Sequence, residues 1–78
     1  MSNLAEIKES IIALVAGITK TTVDINSSAD ALSEWDSLAQ MKIIIEVEKK
    51  YDLEIEDEWI AKLNSVANVV AYLEQRLS

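Results

Sequence analysis

Cysteine and histidine are both missing from the 78-residue chain. Their absence excludes disulfides, thiol chemistry and the usual zinc ligands. It also removes the commonest general base for activating a serine, which argues against a serine hydrolase. Proline is absent too, glycine occurs once, and aromatic residues make up 5% of the chain. A turn-rich β architecture draws on those residues, so their scarcity favours helices. Basic residues number 7 against 14 acidic ones, for a formal charge of −7. That sign repels a phosphate backbone and removes nucleic acid from the expected partners. No apolar run approaches the roughly 18 residues of a membrane span, so no membrane partner is expected. The N-terminal "MSNLAEIKES" mixes charges of both signs and has no signal-peptide core, which points to a cytoplasmic protein.

What is present is a folding composition, 50% hydrophobic, long enough for one small domain. A domain this short buries only about 60% of the surface of its unfolded chain, so its core must be economical. The net acidity suits a protein that meets basic patches on other proteins.

The spacing of apolar residues divides the chain. Asn3 and Glu6 have capping-box spacing, and Leu4, Ile7, Ile11, Leu14, Val15 and Ile18 recur at helical intervals. They predict a first helix over residues 3–16, with Gly17 as a left-handed cap just past its end. Residues 19–36, "TKTTVDINSSADALSEWD", hold no sustained period and read as a long loop stapled to the core by Val23, Ile25, Leu32 and Trp35. A second helix follows over 37–51, a short third near 57–62, and a last one capped by Ser65 with Val66, Val69, Val70, Leu73 and Leu77 on one stripe. Trp59 and Tyr72 are expected to be partly buried anchors. The expected architecture is all-α: a small four-helix bundle of three longer helices and one short one, with a long loop between the first two.

On a helical wheel with Ser37 at zero and roughly 100° per residue, Ile43, Ile44, Val47 and Tyr51 cluster between about 240° and 340°. Leu38, Met41 and Ile45 form a second group between about 40° and 100°, with Glu48 between the two. Ala39, Lys42, Glu46, Lys49 and Lys50 fall on the solvated arc. The two apolar groups together are wider than one packing face requires. A charge at Glu48 is awkward between two buried groups, so the first group reads as core and the second as a partly exposed strip beside Ser37. Packing of that strip beneath the long loop is the alternative that periodicity leaves open.

Ser37 itself has two readings. With Gln40 it forms an S-x-x-Q capping box ahead of an apolar run, so it can be a plain helix cap. A helix N-terminus also stabilises a phosphate through its unpaired amides and dipole, so a phosphodiester on this hydroxyl would sit in a favourable field.

The stretch "EWDSLAQMKIIIEVEKKYDLEIEDE" resembles the centre of the acyl carrier proteins. In that family a D-S-L motif opens the second helix, and its serine carries 4′-phosphopantetheine. Ile43, Val47, Tyr51 and Ile55 fall where the family has core residues. "EIEDEWIAKLNSVANVVAYLEQRL" is similar to the family's I-x-D-E segment and to the T/S-V that opens its last helix. The likeness runs through nearly the whole chain and implies one acyl-carrier-like domain over residues 1–78.

By position, the resemblance makes Ser37 the attachment site and Asp36 and Leu38 part of what a phosphopantetheinyl transferase recognises. It implies that Met41, Ile45 and Glu48 line the partner-facing side of the second helix, with Lys42 and Lys49 adding positive charge to that face. The protein would be a monomeric carrier and not an enzyme, handing thioester-bound acyl or aminoacyl groups between loading and processing enzymes. The resemblance also has departures. Ala39 and Lys42 occupy positions that are often acidic in carriers of fatty-acid synthesis, and Glu34 and Trp35 replace a glycine common before the motif. Those departures imply partners in a dedicated or secondary biosynthetic pathway.

Other classes have weaker support. A helical interaction module would bind through Leu38, Met41 and Ile45, with Ser37 only a cap. A calcium loop begins with Asp24, Asn26 and Ser28, but Ala29 and Trp35 stand where the required glycine and bidentate glutamate belong. A paired-carboxylate enzyme would need a cleft that so short a chain can hardly build.

Overall fold

The computed structural model describes residues 4–77, in which four helices follow one another: α1 (Leu4–Thr19), α2 (Ser37–Tyr51), α3 (Asp57–Ile60) and α4 (Val66–Leu77). The cap expected at Asn3 lies outside the described residues. α1 places Ile7, Ile11, Val15 and Thr19 on one buried stripe at four-residue intervals. It packs against α4 and α2, while α3 packs against α2.

The end of α1 corrects the expectation for Gly17. The helix runs on through Thr19, and Lys20 is the residue that turns left-handed, with φ 58°. Two bonds carry the extra turn: Thr19 Oγ1 donates to Val15 O at 2.8 Å, and Lys20 N donates to Ala16 O at 2.8 Å. Gly17 therefore sits inside a helix without a conformational need for glycine. A Cβ added there meets nothing within 4 Å. Gly17→Ala is expected to stabilise the protein by about 0.5–1 kcal/mol, because alanine loses less backbone entropy on folding. A chemical-denaturation midpoint that failed to rise would count against this account of the helix.

The core is a single cluster of apolar side chains. Its fully buried members are Ile11 and Val15 of α1, Ile43 and Val47 of α2, Leu63 after α3, and Val66, Val69 and Leu73 of α4. Tyr51 and Leu77 are half-buried against this cluster. Ala39, expected on the solvated arc, is 6% exposed and joins the core. It lies one turn before Ile43 on α2.

The long loop is fastened as expected. Val23 and Trp35 are buried, and Ile25 and Leu32 pack partly buried against the same core. An isolated antiparallel bridge ties Ser28 to Ser65, where Ala29 N donates to Asn64 O at 2.8 Å and Val66 N donates to Ser27 O at 3.0 Å. Ser65 also caps α4, its Oγ accepting from Asn68 N at 3.1 Å. Asp24, the first residue of the fragmentary calcium pattern, closes a turn by accepting from Asn26 N at 2.8 Å.

Trp59 and Tyr72 anchor α3 to α4, with ring centroids 5.3 Å apart and planes tilted by 56°. The Tyr72 hydroxyl donates to Glu56 Oε1 at 2.9 Å, and Arg76 Nη2 pairs with Glu56 Oε2 at 3.0 Å. Donation from its own backbone amide, then from Tyr72 and Arg76, holds the Glu56 carboxyl below its ordinary range. Burial, followed by the bond to Glu56, pushes the Tyr72 phenol up.

The two shifts act at opposite ends of the pH scale. A carboxylate with a depressed folded-state pKa contributes stability above its unfolded value, and that contribution is lost as pH falls through the folded value. A phenol with a raised folded-state pKa contributes stability that is lost as pH rises above the unfolded value of about 10. Thermal melts across pH are therefore expected to fall away at both extremes. Glu56→Gln should flatten the acid limb and Tyr72→Phe the alkaline one; an unchanged profile in both variants would overturn the assignment. Among the described residues, no helix is long and apolar enough to cross a membrane.

Candidate functional site

The loop leading into α2 sets up the site through Asp36. This residue adopts an extended backbone, φ −91° and ψ −172°, and its Oδ1 accepts from Ala39 N at 2.9 Å. Asp36 is therefore the N-cap, and its carbonyl takes the first helical bond from Gln40 N at 2.9 Å. Ser37, for which capping was one of two readings, is instead the first residue inside the helix. Its side chain is exposed and makes no hydrogen bond within the described chain. The capping box fails for the same reason. The reading in which Ser37 serves only as a cap is corrected by this geometry.

Gln40 has different work. Its Oε1 accepts from the Trp35 indole Nε1 at 2.6 Å, and its Nε2 donates to Ile60 O at 2.6 Å and Leu63 O at 2.9 Å. One amide thus joins the end of the long loop, the first turn of α2 and the residues around the end of α3. The sequence reading treated Gln40 only as a capping partner. The signal was its wheel position near 300°, between Val47 and Ile44, where a polar group must find internal partners.

The three apolar residues beside Ser37 do not tuck under the loop. Leu38 is 65% exposed, and Met41 and Ile45 are each 45% exposed. Among the described residues, the one other large hydrophobic left so open is Leu4, at the start of α1. Lys42 and Lys49 are exposed. Glu48 is half-buried, and its Oε2 accepts from Ile55 N at 2.8 Å, so it pins the α2–α3 connection beside the strip. Lys49 also borders a cleft shared with Ser10 and Leu14 of α1.

Between Ser37 and α3 runs an open groove of about 520 Å³, walled by Ala29, Trp35, Met41, Ile60, Ala61 and Asn64. Ser37 stands at its rim with a free hydroxyl. The amides of the first turn are the ones no helix can pair internally, apart from Ala39 N, which Asp36 takes. An anionic phosphodiester on Ser37 would meet those amides and the positive end of the α2 dipole. A free, exposed hydroxyl in that field fits a phosphate-linked group.

The family model for the phosphopantetheine attachment site matches residues 9–73. The chain belongs to the acyl carrier protein family. An acyl carrier protein of Rickettsia bellii (strain OSU 85-389) is 30% identical over 83 positions, covering 100% of both chains. The meromycolate extension acyl carrier protein of Mycolicibacterium smegmatis is 36% identical, covering 96% of this chain and 72% of that one. An Exiguobacterium acyl carrier protein is 48% identical over 42 residues, about half of each chain at 54% and 53%. The family's cofactor is 4′-phosphopantetheine, covalently attached, and the chain's role is that of an acyl carrier.

Proposed function

We propose that Ser37 carries the phosphopantetheine and that the protein presents acyl intermediates of a dedicated biosynthetic pathway to successive enzymes. The observation that carries this reading is the division of labour at the start of α2: Asp36 caps the helix, leaving the Ser37 hydroxyl free and exposed. When attached, the group supplies a terminal thiol that holds an acyl chain as a thioester, and in a chain without cysteine that thiol is unrivalled.

In the attachment reaction the Ser37 oxygen bonds to phosphorus in the pyrophosphate of coenzyme A, and 3′,5′-ADP leaves. The hydroxyl proton passes to a base and the pyrophosphate is held by Mg²⁺, both supplied by a phosphopantetheinyl transferase. Asp36 is a poor candidate for that base, because its carboxylate is committed to Ala39 N. Asp36 and Leu38 flank the serine and form the part of the surface that the transferase meets first. Leu38, Met41 and Ile45 then supply an apolar docking strip of the modest size suited to brief association. The protein binds and presents; loading and processing enzymes perform the chemistry. The lysines on α2, described further below, favour a dedicated pathway over general fatty-acid synthesis.

Incubation with coenzyme A, Mg²⁺ and a promiscuous transferase, followed by intact-mass and peptide mapping, tests the reading. A gain of one phosphopantetheine on the peptide containing Ser37 is expected. An unmodified, folded protein would overturn it.

A further inference from the structure

The strip on α2 has charges of opposite sign along its two long edges. On one edge, Lys42 lies one turn from both Leu38 and Ile45, and Lys49 lies one turn beyond Ile45. On the other, Met41 and Ile45 share a cleft with Glu48, Glu54, Glu56 and Asp57. Two of those carboxylates have internal tasks: Glu48 accepts from Ile55 N, and Glu56 is held by Tyr72 and Arg76. Glu54 and Asp57 are exposed and, like Lys42 and Lys49, form no ion pair among the described residues. Lys49 has a local reason to be cationic, since it sits in the last turn of α2, where the helix dipole favours positive charge. Lys42, in the middle of the helix, has no such reason.

Unpaired charges flanking an exposed apolar strip influence which surfaces can approach it. A like-charged edge is repelled and an opposite one is steered in, with the larger effect on association rate and orientation. In a chain of net charge −7, Lys42 and Lys49, with the exposed Glu46 one turn from each, leave their edge net positive while the other stays acidic.

Resting on the carrier reading above, we propose that this face is a polarised docking site. It fits an enzyme whose docking patch has an apolar centre, carboxylates against Lys42 and Lys49, and basic side chains against Glu54 and Asp57. Such a patch admits one orientation, with the Ser37 end of α2 directed in a single sense. An enzyme whose patch is basic throughout meets attraction at one edge and repulsion at the other.

The test uses the full chain with its arm installed and, as probe, a condensing enzyme whose carrier-docking patch is basic throughout. Reversing one edge, Lys42→Glu with Lys49→Glu, is expected to raise kcat/KM about ten-fold at low salt. The gain should shrink as the salt approaches about 0.5 M, because the charges lie at the surface. Reversing the other edge, Glu54→Lys with Asp57→Lys, is expected to lower it by a similar factor. All four side chains are exposed, and equal melting temperatures would verify that the variants fold alike. Intact mass before the assay separates the two levels of the proposal. A wild-type chain that takes no arm removes the carrier reading and the docking inference with it. Loaded proteins whose kcat/KM stays within about two-fold after the lysine reversal would overturn the polarised face alone.

Discussion

Ser37→Ala is expected to abolish attachment of phosphopantetheine while leaving the stability of the protein almost unchanged. The two halves of that result come from one feature, the capping of α2 by Asp36 instead of Ser37. Alanine removes the hydroxyl that forms the phosphodiester, so intact mass should show no gain under conditions that fully convert the wild type. The same change touches no hydrogen bond within the described chain, and an exposed substitution of this kind shifts stability by no more than about 0.5 kcal/mol. Asp36→Ala gives the opposite balance. It frees Ala39 N and is expected to cost about 1 kcal/mol, while the serine remains available for modification at a lower rate. If Ser37→Ala proved as destabilising as Asp36→Ala, the assigned cap would be wrong.

The largest effect on stability is expected from Gln40→Ala. Its amide makes three bonds, to the Trp35 indole and to the carbonyls of Ile60 and Leu63. Truncation removes them together and leaves a donor on Trp35, which is 3% exposed, without its partner. A buried donor or acceptor left unpaired costs about 1–3 kcal/mol, and some of these groups will recover water, so a total of about 2–4 kcal/mol is expected. For a domain of this size that is a fall in Tm of about 8 °C or more. Gln40→Glu is the informative companion. It keeps the acceptor for Trp35 but turns an acid towards two carbonyl oxygens, so its stability should decline as pH rises and the new carboxyl ionises. A Gln40→Ala variant that melted with the wild type would show that the three bonds contribute little.

Most of the helical architecture was legible because the apolar periodicity was strong. α2 and α4 begin where the sequence predicts, and Ser65 caps α4 with the expected geometry. The long loop could also be read, since Val23, Ile25, Leu32 and Trp35 are too apolar to be left in water. Gly17 misled because a lone glycine is both a common stop and a tolerated helical residue. The actual stop depends on the Thr19 hydroxyl and on Lys20 adopting φ 58°, for which lysine carries no sequence signal.

At the site, Asp36 and Ser37 are adjacent residues of equal capping ability, and spacing alone cannot choose between them. The choice follows from Gln40, which the loop and α3 draw inwards and which is then unavailable to complete a capping box with Ser37. The exposure of Leu38, Met41 and Ile45 was inferred from the charge at Glu48. Those residues are indeed open, although Glu48 turned out to be half-buried, with its carboxylate engaged to Ile55 N.

The packing of α1 on α4 joins the first and last helices, and the bridge between Ser28 and Ser65 spans much of the chain between them. Contacts so distant in sequence repay their loop-closure entropy only when both partners are present. During synthesis, α1 leaves the ribosome with the face that packs on α4 still uncovered. The core closes after Val66–Leu77 has followed it out. On the carrier reading proposed above, Ser37 is made well before the fold that displays it, and a transferase that reads the folded surface would act only once α4 has docked on α1.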